Sequence, residues 1–475
     1  MSKIALVKMD KASYEHQLVK SAVEEGFRLM GYDRERIDKP DWNPLGEIIK
    51  PGDKVLIKPN MVMHKNNNPQ GGLECLYTQP SVVEAVLYYV VRALQSTEVG
   101  HVVIADAPMQ ACNFEELIEQ SGYRQMVETF KKRYPHIRFE LKDLRGVKSV
   151  WKNGFYRYYE DSTAKSAVVK MDEDSEFAQL PPERIAAMRV TDYDPDILRR
   201  YHNAHCHEYA VSQEVLEADV IINMPKPKTH RKAGITCALK NLVGICVRKE
   251  CLPHHTNGEY TKEDSVYGGD EYKDKNVFRQ VEDFLLDWKN RYAQTYHKSK
   301  YAWLLQQCIR VSRRLGRYLT REKFAEGSWY GNHTISKTIT DLNKIVFYAD
   351  KKGGLVKSGK KQRRYLIVAD MVVVGDHEGP LNPLPNPVGV IGIGENPVTF
   401  DEVVATLYGA KMEYMHTINQ ARSTSTGKYP LISENAVGKI LSYYDAWHGK
   451  AWQDIKENDR LPITPTEGWK EAFYS

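Results

Sequence analysis

Lys226, Lys228, Thr229, His230 and Lys240 stand close together in the segment Asn223-Met-Pro-Lys-Pro-Lys-Thr-His-Arg-Lys-Ala-Gly-Ile-Thr-Cys-Ala-Leu-Lys-Asn241. Ammonium groups at that density attract carboxylates or phosphates, and an imidazole among them can move a proton near neutral pH. The apolar run Ala218-Asp-Val-Ile-Ile222 ends abruptly in these groups, and Gly234 leads into a second apolar stretch carrying Lys240 and Asn241. A strand, a polar turn and a helix start, in that order, are where open α/β sheets hold ligands. The helix N-terminus would add to the positive field. The competing reading is a solvated surface turn in which His230 caps a helix.

Other strand ends carry polar groups too. Lys58-Pro59-Asn60 follows Lys54-Val-Leu-Ile57, and Asp106 follows His101-Val-Val-Ile-Ala105. Tyr365-Leu-Ile-Val-Ala369 runs into Asp370 and on to Gly375-Asp-His-Glu-Gly-Pro380, which contains Glu378. In a parallel sheet all these carboxyl ends share one edge, so residues distant in sequence can converge. Each can also be a turn, since Asp and Asn bond their own backbone there. The substrate-binding set expected on this basis is Lys58, Asn60, Asp106, Asn223, Lys226, Lys228, Thr229, Asn241 and Glu378, with His230 and Lys240 as catalytic candidates.

Histidines cluster elsewhere. His202, His205 and His207 surround Cys206, and His254-His255 follows Pro253. With Asp270 and Glu271 nearby in sequence, His207, His254, His255 and Asp270 form a candidate set for a divalent metal. The spacing is not specific for zinc, and adjacent histidines rarely share one ion; substrate contact or polar packing is the alternative. Gly327-Ser-Trp-Tyr-Gly-Asn332 reads as a bent loop whose Asn332 contacts substrate, with Thr334 capping the helix that follows.

These groups need a scaffold. Strands near 4–7, 54–57, 101–105, 137–141, 218–222, 365–369 and 388–393 alternate with helical patterns near 14–30, 80–94, 114–133 and 396–408. That alternation predicts an α/β fold with a mostly parallel sheet, helices on both faces and two insertions over the ligand edge. The core is expected from 1–145, 211–250 and 364–445. The first insertion spans 146–210, the second 251–363 with a long basic helix, and 446–475 is a C-terminal tail.

The 475 residues include 67 Lys and Arg against 62 Asp and Glu, a net charge of +5 too weak to imply nucleic acid. Seven cysteines are scattered without a Cys-x-x-Cys pair, as free thiols in a reducing compartment would be, and no signal-peptide-like or membrane-spanning run is present. A cytoplasmic protein is therefore expected. Gly392-Ile-Gly394 lacks a third glycine, because Pro397 takes its place, and no Walker A motif occurs. No dinucleotide is expected. The segment 297–323 interleaves Lys298, Lys300, Arg310, Arg313, Arg314, Arg317 and Arg321 with Trp303, Leu304, Leu305, Ile309, Val311, Leu315 and Leu319. Such a helix can lie on an anionic membrane or pack on the protein's own core with its charges solvated.

Taken in order, Val55-Leu-Ile-Lys-Pro-Asn60, Thr78-Gln-Pro80, Val103-Ile-Ala-Asp-Ala-Pro108, Glu217 through His230, Gly234 through Gly244, Gly375 through Pro380 and Asn396-Pro-Val-Thr-Phe-Asp401 resemble the family known as domain of unknown function 362. Leu252-Pro-His-His255, Gly268-Gly-Asp-Glu271 and Gly327 through Asn332 are similar to a long form found beside bacterial polysaccharide genes. Many members carry a ferredoxin cysteine motif. This chain lacks it, so no iron–sulfur cluster is implied. A fainter likeness joins His230, Gly234 and Lys240 to nickel-pincer lactate racemases, in which the lysine tethers the cofactor and the histidine moves the substrate proton. The paired glycines before that lysine are absent here, where Cys237-Ala238 stands.

The expected function is an enzyme acting on a small anionic or sugar-like substrate in cell-surface polysaccharide synthesis. His230 is the expected acid/base; the lysines hold anionic groups. A racemase or epimerase with an organometallic cofactor is one alternative. A non-catalytic binding or membrane-associated accessory protein is the other.

Overall fold

The structure is a computed structural model and describes residues 2–95, 99–152, 155–190, 192–261, 268–273, 275, 277–295, 299–320 and 324–474. Its centre is an eight-stranded sheet. In chain order the strands are β1 (Ser2–Lys8), β2 (Lys54–Pro59), β3 (His101–Asp106), β4 (Arg138–Asp143), β5 (Val220–Met224), β6 (Arg364–Met371), β7 (Val390–Gly394) and β8 (Gly438–Leu441). In space they run β8-β1-β7-β6-β5-β2-β3-β4. β7 is antiparallel to both neighbours, and every other pairing is parallel. The fold is α/β with a mostly parallel sheet.

Strand chemistry explains the layering. Side chains alternate across a strand, so Leu56, Val103, Ile221 and Ile367 enter the core on one face. Val55, Ile57, Ile104, Ile222 and Val368 enter the core on the other. Both faces are covered, as near-continuous apolar runs require. Helices α1 (His16–Met30), α2 (Pro80–Leu94), α3 (Phe114–Ser121) and α4 (Tyr123–Arg133) connect the first strands. α1 stops at Gly31, whose φ of 76° lets it turn back and donate to Phe27 and Arg28 carbonyls. α2 starts with Pro80 in its first turn.

The expected strand, polar turn and helix start takes a different form. Lys228–His230 is itself a strand, antiparallel to Gly234–Thr236 and bridged at Lys228 to Gly375 of the Val374–Glu378 strand. With Asn382–Asn386 these make a second, four-stranded sheet. The helix that follows, Ala238–Asn241, is one turn long. Its N-terminus is closed by Asp401, whose carboxylate accepts from Ala238 N at 2.8 Å and Leu239 N at 3.0 Å. It therefore offers no seat for a ligand anion.

Two helices, α5 (Val277–Thr295) and α6 (Ser299–Thr320), pack on each other, and α6 is the long basic helix expected within 297–323. His297, Lys298, Arg321 and Lys323 lie outside the described residues. α7 (Thr334–Tyr348) begins at Thr334 rather than being capped by it, and Asn332 Oδ1 accepts from Ile335 N at 3.2 Å instead. α8 (Pro397–Leu407) is capped by Asn396, which accepts from Val398 N and Thr399 N. Trp447 and Trp469 of the C-terminal segment are buried. Trp469 donates to Arg231 O at 2.8 Å.

Two ion pairs lie at the carboxyl edge of the sheet, wholly inside the protein. Lys58 Nζ stands 2.8 Å from Asp106, and Lys226 Nζ stands 2.9 Å from Asp370. A Cβ on Gly244 would fall 2.0 Å from Asp106 Oδ1, so the close approach of that chain to the first pair requires glycine. Removing one partner of a buried pair strands the other charge and costs about 3–5 kcal/mol. Asp106→Leu is therefore expected to lower unfolding free energy by about that much, and Lys58→Met added to it to recover most of the loss. Denaturant unfolding measures both; a single-variant cost below about 1 kcal/mol would contradict the pair's role.

Candidate functional site

A cavity of about 180 Å³ opens at the carboxyl edge of the sheet. Residues distant along the chain reach it: Asn60 and Asp106 from the ends of β2 and β3, Tyr193, then Lys228, His230, Arg231, Lys232, Lys240, Asn241 and Gly244 from the central segment, Lys249, Leu252 and His254 from the stretch beyond, and Glu326. The convergence of distant strand ends expected from the sequence is thus present.

The amide network under the cavity explains how these residues are held. β2 and β5 pair in register, setting Lys58 opposite Asn223. Asn223 Oδ1 accepts from Asn241 Nδ2 at 2.6 Å, and its own Nδ2 donates to Ala238 O at 2.8 Å and to the Tyr365 hydroxyl at 2.6 Å. Asn241 Oδ1 accepts from Asn60 Nδ2 at 3.1 Å and Lys58 Nζ at 3.3 Å. Asn60 Oδ1 in turn accepts from Lys228 Nζ at 2.9 Å. The expected substrate-binding residues therefore divide. Asn60, Asp106, Lys228 and Asn241 line the cavity, with His230 and Lys240. Lys58, Asn223 and Lys226 lie beneath it, with Lys226 bonded to Asp370 and the Tyr14 hydroxyl.

Thr229, Asn332 and Glu378 line no part of it. Thr229 Oγ1 donates to His377 O at 2.7 Å. Asn332 Nδ2 donates to His254 O at 2.9 Å and Gly327 O at 3.0 Å, which fixes the loop behind His254. Glu378 is exposed and accepts from Glu467 N. These three support loops around the site.

The candidate metal set is not brought together. His207 Nδ1 lies 3.2 Å from His202 Nδ1 in a packed aromatic cluster with Phe177. Asp270 accepts from Thr256 N and His333 N and pairs with Arg184 at 3.6 Å. His255 accepts from Lys232 Nζ at 3.3 Å. His254 alone of the four lines the cavity. Among the described residues no group of three or more His, Cys, Asp or Glu side chains is placed to hold a metal ion.

Electrostatics give the cavity its character. Lys228, Lys232, Lys240 and Lys249 all line it, and among the described residues none has a carboxylate at ion-pair distance. Lys249 Nζ donates to Ala107 O at 2.7 Å, and Lys228 Nζ also donates to Leu76 O. No hydrogen-bond partner of Lys240 Nζ is found among the described residues. Burial, assisted for Lys240 by Lys249, Lys58 and Lys232, pushes the Lys240 ammonium down to about 8. Burial likewise brings Lys228 to about 7 and Lys232 to about 8. Glu326 is pushed up by burial, but Lys232 and Arg231 outweigh this and hold its carboxyl below the usual range.

The two histidines of the wall have opposite hydrogen-bonding senses. His230 Nδ1 accepts from Lys232 N at 3.1 Å and Ala233 N at 3.0 Å. Its proton therefore sits on Nε2, and the ring is a neutral donor. Burial, then Lys240 and Arg231, hold it well below its ordinary pKa. His254 Nδ1 donates to Leu252 O at 2.6 Å, which leaves Nε2 as an acceptor. Burial, then Lys232 and Lys240, lower it to about 3. An anion seated among the lysines would cancel their share of that shift.

Sequence reasoning missed Lys232, Lys249, Arg231, Glu326 and Tyr193. Lys232 stood in the conspicuous segment and differed from its neighbours by nothing readable. Lys249 and Glu326 arrive from loops whose path the sequence does not reveal.

The chain belongs to the family described as Domain of unknown function (DUF362), whose model matches residues 55–155 and 147–406. It is also similar to "Thylakoid-associated protein sll1697" of Synechocystis sp. (strain ATCC 27184 / PCC 6803 / Kazusa), 26% identical over 203 residues that make up 43% of this chain and 42% of that protein. The match thus spans about two-fifths of that relative's length.

Buried lysines with depressed pKa values make stability and anion binding move oppositely with pH. Between the folded values of about 7 to 8 and the unfolded value near 10.4, the unfolded chain binds more protons, so stability rises with pH across that window. Anion binding needs the protonated lysines and weakens as pH rises through about 7 to 8. Denaturant titration and malonate binding by calorimetry from pH 6 to 10 are expected to show these opposite slopes. Parallel slopes would contradict the assignment.

Proposed function

We propose that the protein is an enzyme that moves a proton on a small anionic substrate, an isomerase or epimerase acting on a carboxylated, sugar-like compound. The observation that carries this reading is Lys240. It is an ammonium held near a pKa of about 8 on the wall of a cavity, without a hydrogen-bond partner among the described residues. A lysine so tuned is half neutral close to working pH and can take a proton. Lys228, Lys232 and Lys249 hold the anionic group. His230 donates from Nε2 to the oxygen on which charge develops. His254 Nε2 accepts a proton from another direction once the bound anion offsets the lysines, so the cavity presents two groups able to exchange protons. This gives His230 a polarising role in place of the acid/base role expected from sequence. A place in cell-surface polysaccharide synthesis, and a cytoplasmic location, go with the sugar-like substrate and the free cysteines.

The faint likeness to nickel-pincer racemases supplies a second reading, in which Lys240 tethers a cofactor. The free amine of Lys240 fits a tether. The metal-ligand part fits poorly, because His230 Nδ1 is engaged by backbone and, among the described residues, the histidines and carboxylates form no cluster of metal-ligand geometry. No step is derived through it. A third reading, membrane association, draws on the relative's name as a thylakoid-associated protein. Among the described residues no helix is long and apolar enough to cross a membrane.

The test is solvent deuterium exchange, followed by NMR over a panel of sugar acids and 2-hydroxy acids. Wild type is expected to wash deuterium into the carbon beside the carboxylate of one of them. Lys240→Met and His254→Gln are expected to cut that rate by about 100-fold or more without lowering the thermal midpoint. His230→Gln is expected to cost about 100- to 1,000-fold, as removal of an oxyanion donor does. Exchange undiminished in Lys240→Met removes the proposed base. A native mass above that of the 54.6 kDa chain, traced to Lys240, favours the cofactor reading instead.

A further inference from the structure

α5 and α6 form an antiparallel hairpin with an unusual surface. Phe278 O accepts from Ser312 Oγ at 2.6 Å, Glu282 pairs with Arg313 at 2.6 Å, and Lys289 donates to Gln306 at 2.9 Å. The faces that meet are thus partly polar. Leu286, Leu305 and Ile309 are buried, but the outward faces carry large apolar groups as well. On α5, Val277, Val281, Phe284 and Trp288 recur at helical spacing and are exposed, Val277 by 70% and Phe284 by 64%. On α6, Leu304, Val311, Leu315, Tyr318 and Leu319 do the same, with Tyr318 84% exposed. With the helices antiparallel and joined through the contacts above, a 100° step per residue puts both stripes on one side of the hairpin. A contiguous exposed apolar surface of this kind marks an interaction site.

Charge identifies the occupant. Ser299–Thr320 contains no Asp or Glu and includes Lys300, Arg310, Arg313, Arg314 and Arg317. Arg310 and Arg314 are exposed and sit beside the apolar stripe of α6. A second copy of the hairpin would set these arginines against one another. Aromatic side chains over an apolar stripe with flanking cations fit the headgroup region of an anionic bilayer. We propose that the α5–α6 hairpin is a docking surface for an anionic phospholipid membrane, on which the protein lies without crossing it.

The hairpin is rooted beside the cavity. Asp287 pairs with Arg189, and Asn290 Nδ2 donates to Tyr193 O at 3.2 Å. Tyr193 is part of the cavity wall. Docking would therefore hold the site close to the bilayer surface, which suits a substrate presented there. The surface uses none of the residues assigned to proton transfer, so the docking and the chemistry can fail independently.

Flotation of the full chain with phosphatidylcholine vesicles, with and without phosphatidylglycerol, tests the proposal. Wild type is expected to float with the anionic vesicles at low salt and to be released as salt rises. Phe284→Ser with Leu315→Ser, both at exposed positions, is expected to weaken binding at least tenfold. Arg310→Glu with Arg314→Glu is expected to weaken it by about fivefold or more for each charge. A blue shift of wild-type tryptophan emission on anionic vesicles, from Trp288 and Trp303, supports docking without relying on any variant. Absence of flotation or of that shift overturns the proposal, as does undiminished binding by the apolar variant. A dimer in native mass spectrometry that the apolar variant dissociates also overturns it, in favour of a second copy.

Discussion

Whether a buried ammonium has a carboxylate beside it decides what each lysine of this protein does. Lys58 and Lys226 are matched with Asp106 and Asp370, and the pairs close the carboxyl edge of the sheet. Lys228, Lys232 and Lys249 are buried, and Lys240 half-buried, without such a match among the described residues, and all four face one cavity. Desolvation with no compensating charge leaves a group poised to lose its proton or to take an anionic partner. The amide chain from Asn223 through Asn241 and Asn60 to Lys228 keeps these ammonium groups in place. The buried pairs supply the rigid floor beneath them.

The scaffold was legible because strand and helix patterns obey different periods. β2, β3 and β5 were readable as short aliphatic runs ending in polar residues, and α2 and α8 announced themselves through Pro80 and Pro397. The convergence of their ends followed from parallel pairing. The interior of the central segment was less legible. Lys228–His230 alternates too briefly to separate a strand from a turn, and its partner strand comes from 374–378, far along the chain. The length of the helix after it was not readable either, because Leu239, Leu242 and Ile245 continue the apolar stretch although only Ala238–Asn241 is α-helical and Leu242–Ile245 is a 3₁₀ turn.

Side-chain direction was the least legible property. Lys226 and Lys228 both sit in the Pro-Lys-Pro-Lys run, but one is matched with Asp370 under the sheet edge and the other reaches the cavity. Residue type gave no means to tell them apart. His254 and His255 are adjacent; one lines the cavity, and the other accepts from Lys232 behind it. The tautomer of His230 depends on two backbone N–H groups of its own loop, which no spacing rule encodes. The basic character of α6 was plain from sequence. The exposed stripe on α5 was not, because a hydrophobic run of the same spacing ordinarily faces a core.

Titration of lysine Nζ groups, followed by NMR on protein with ¹³Cε-labelled lysine and assigned by single Lys→Arg variants, reaches the central claim most directly. The account predicts that Lys228 titrates near 7 and Lys232 and Lys240 near 8, and that saturating malonate moves all three upward. Titration of all three near the free-lysine value of about 10.4, unmoved by malonate, would contradict it.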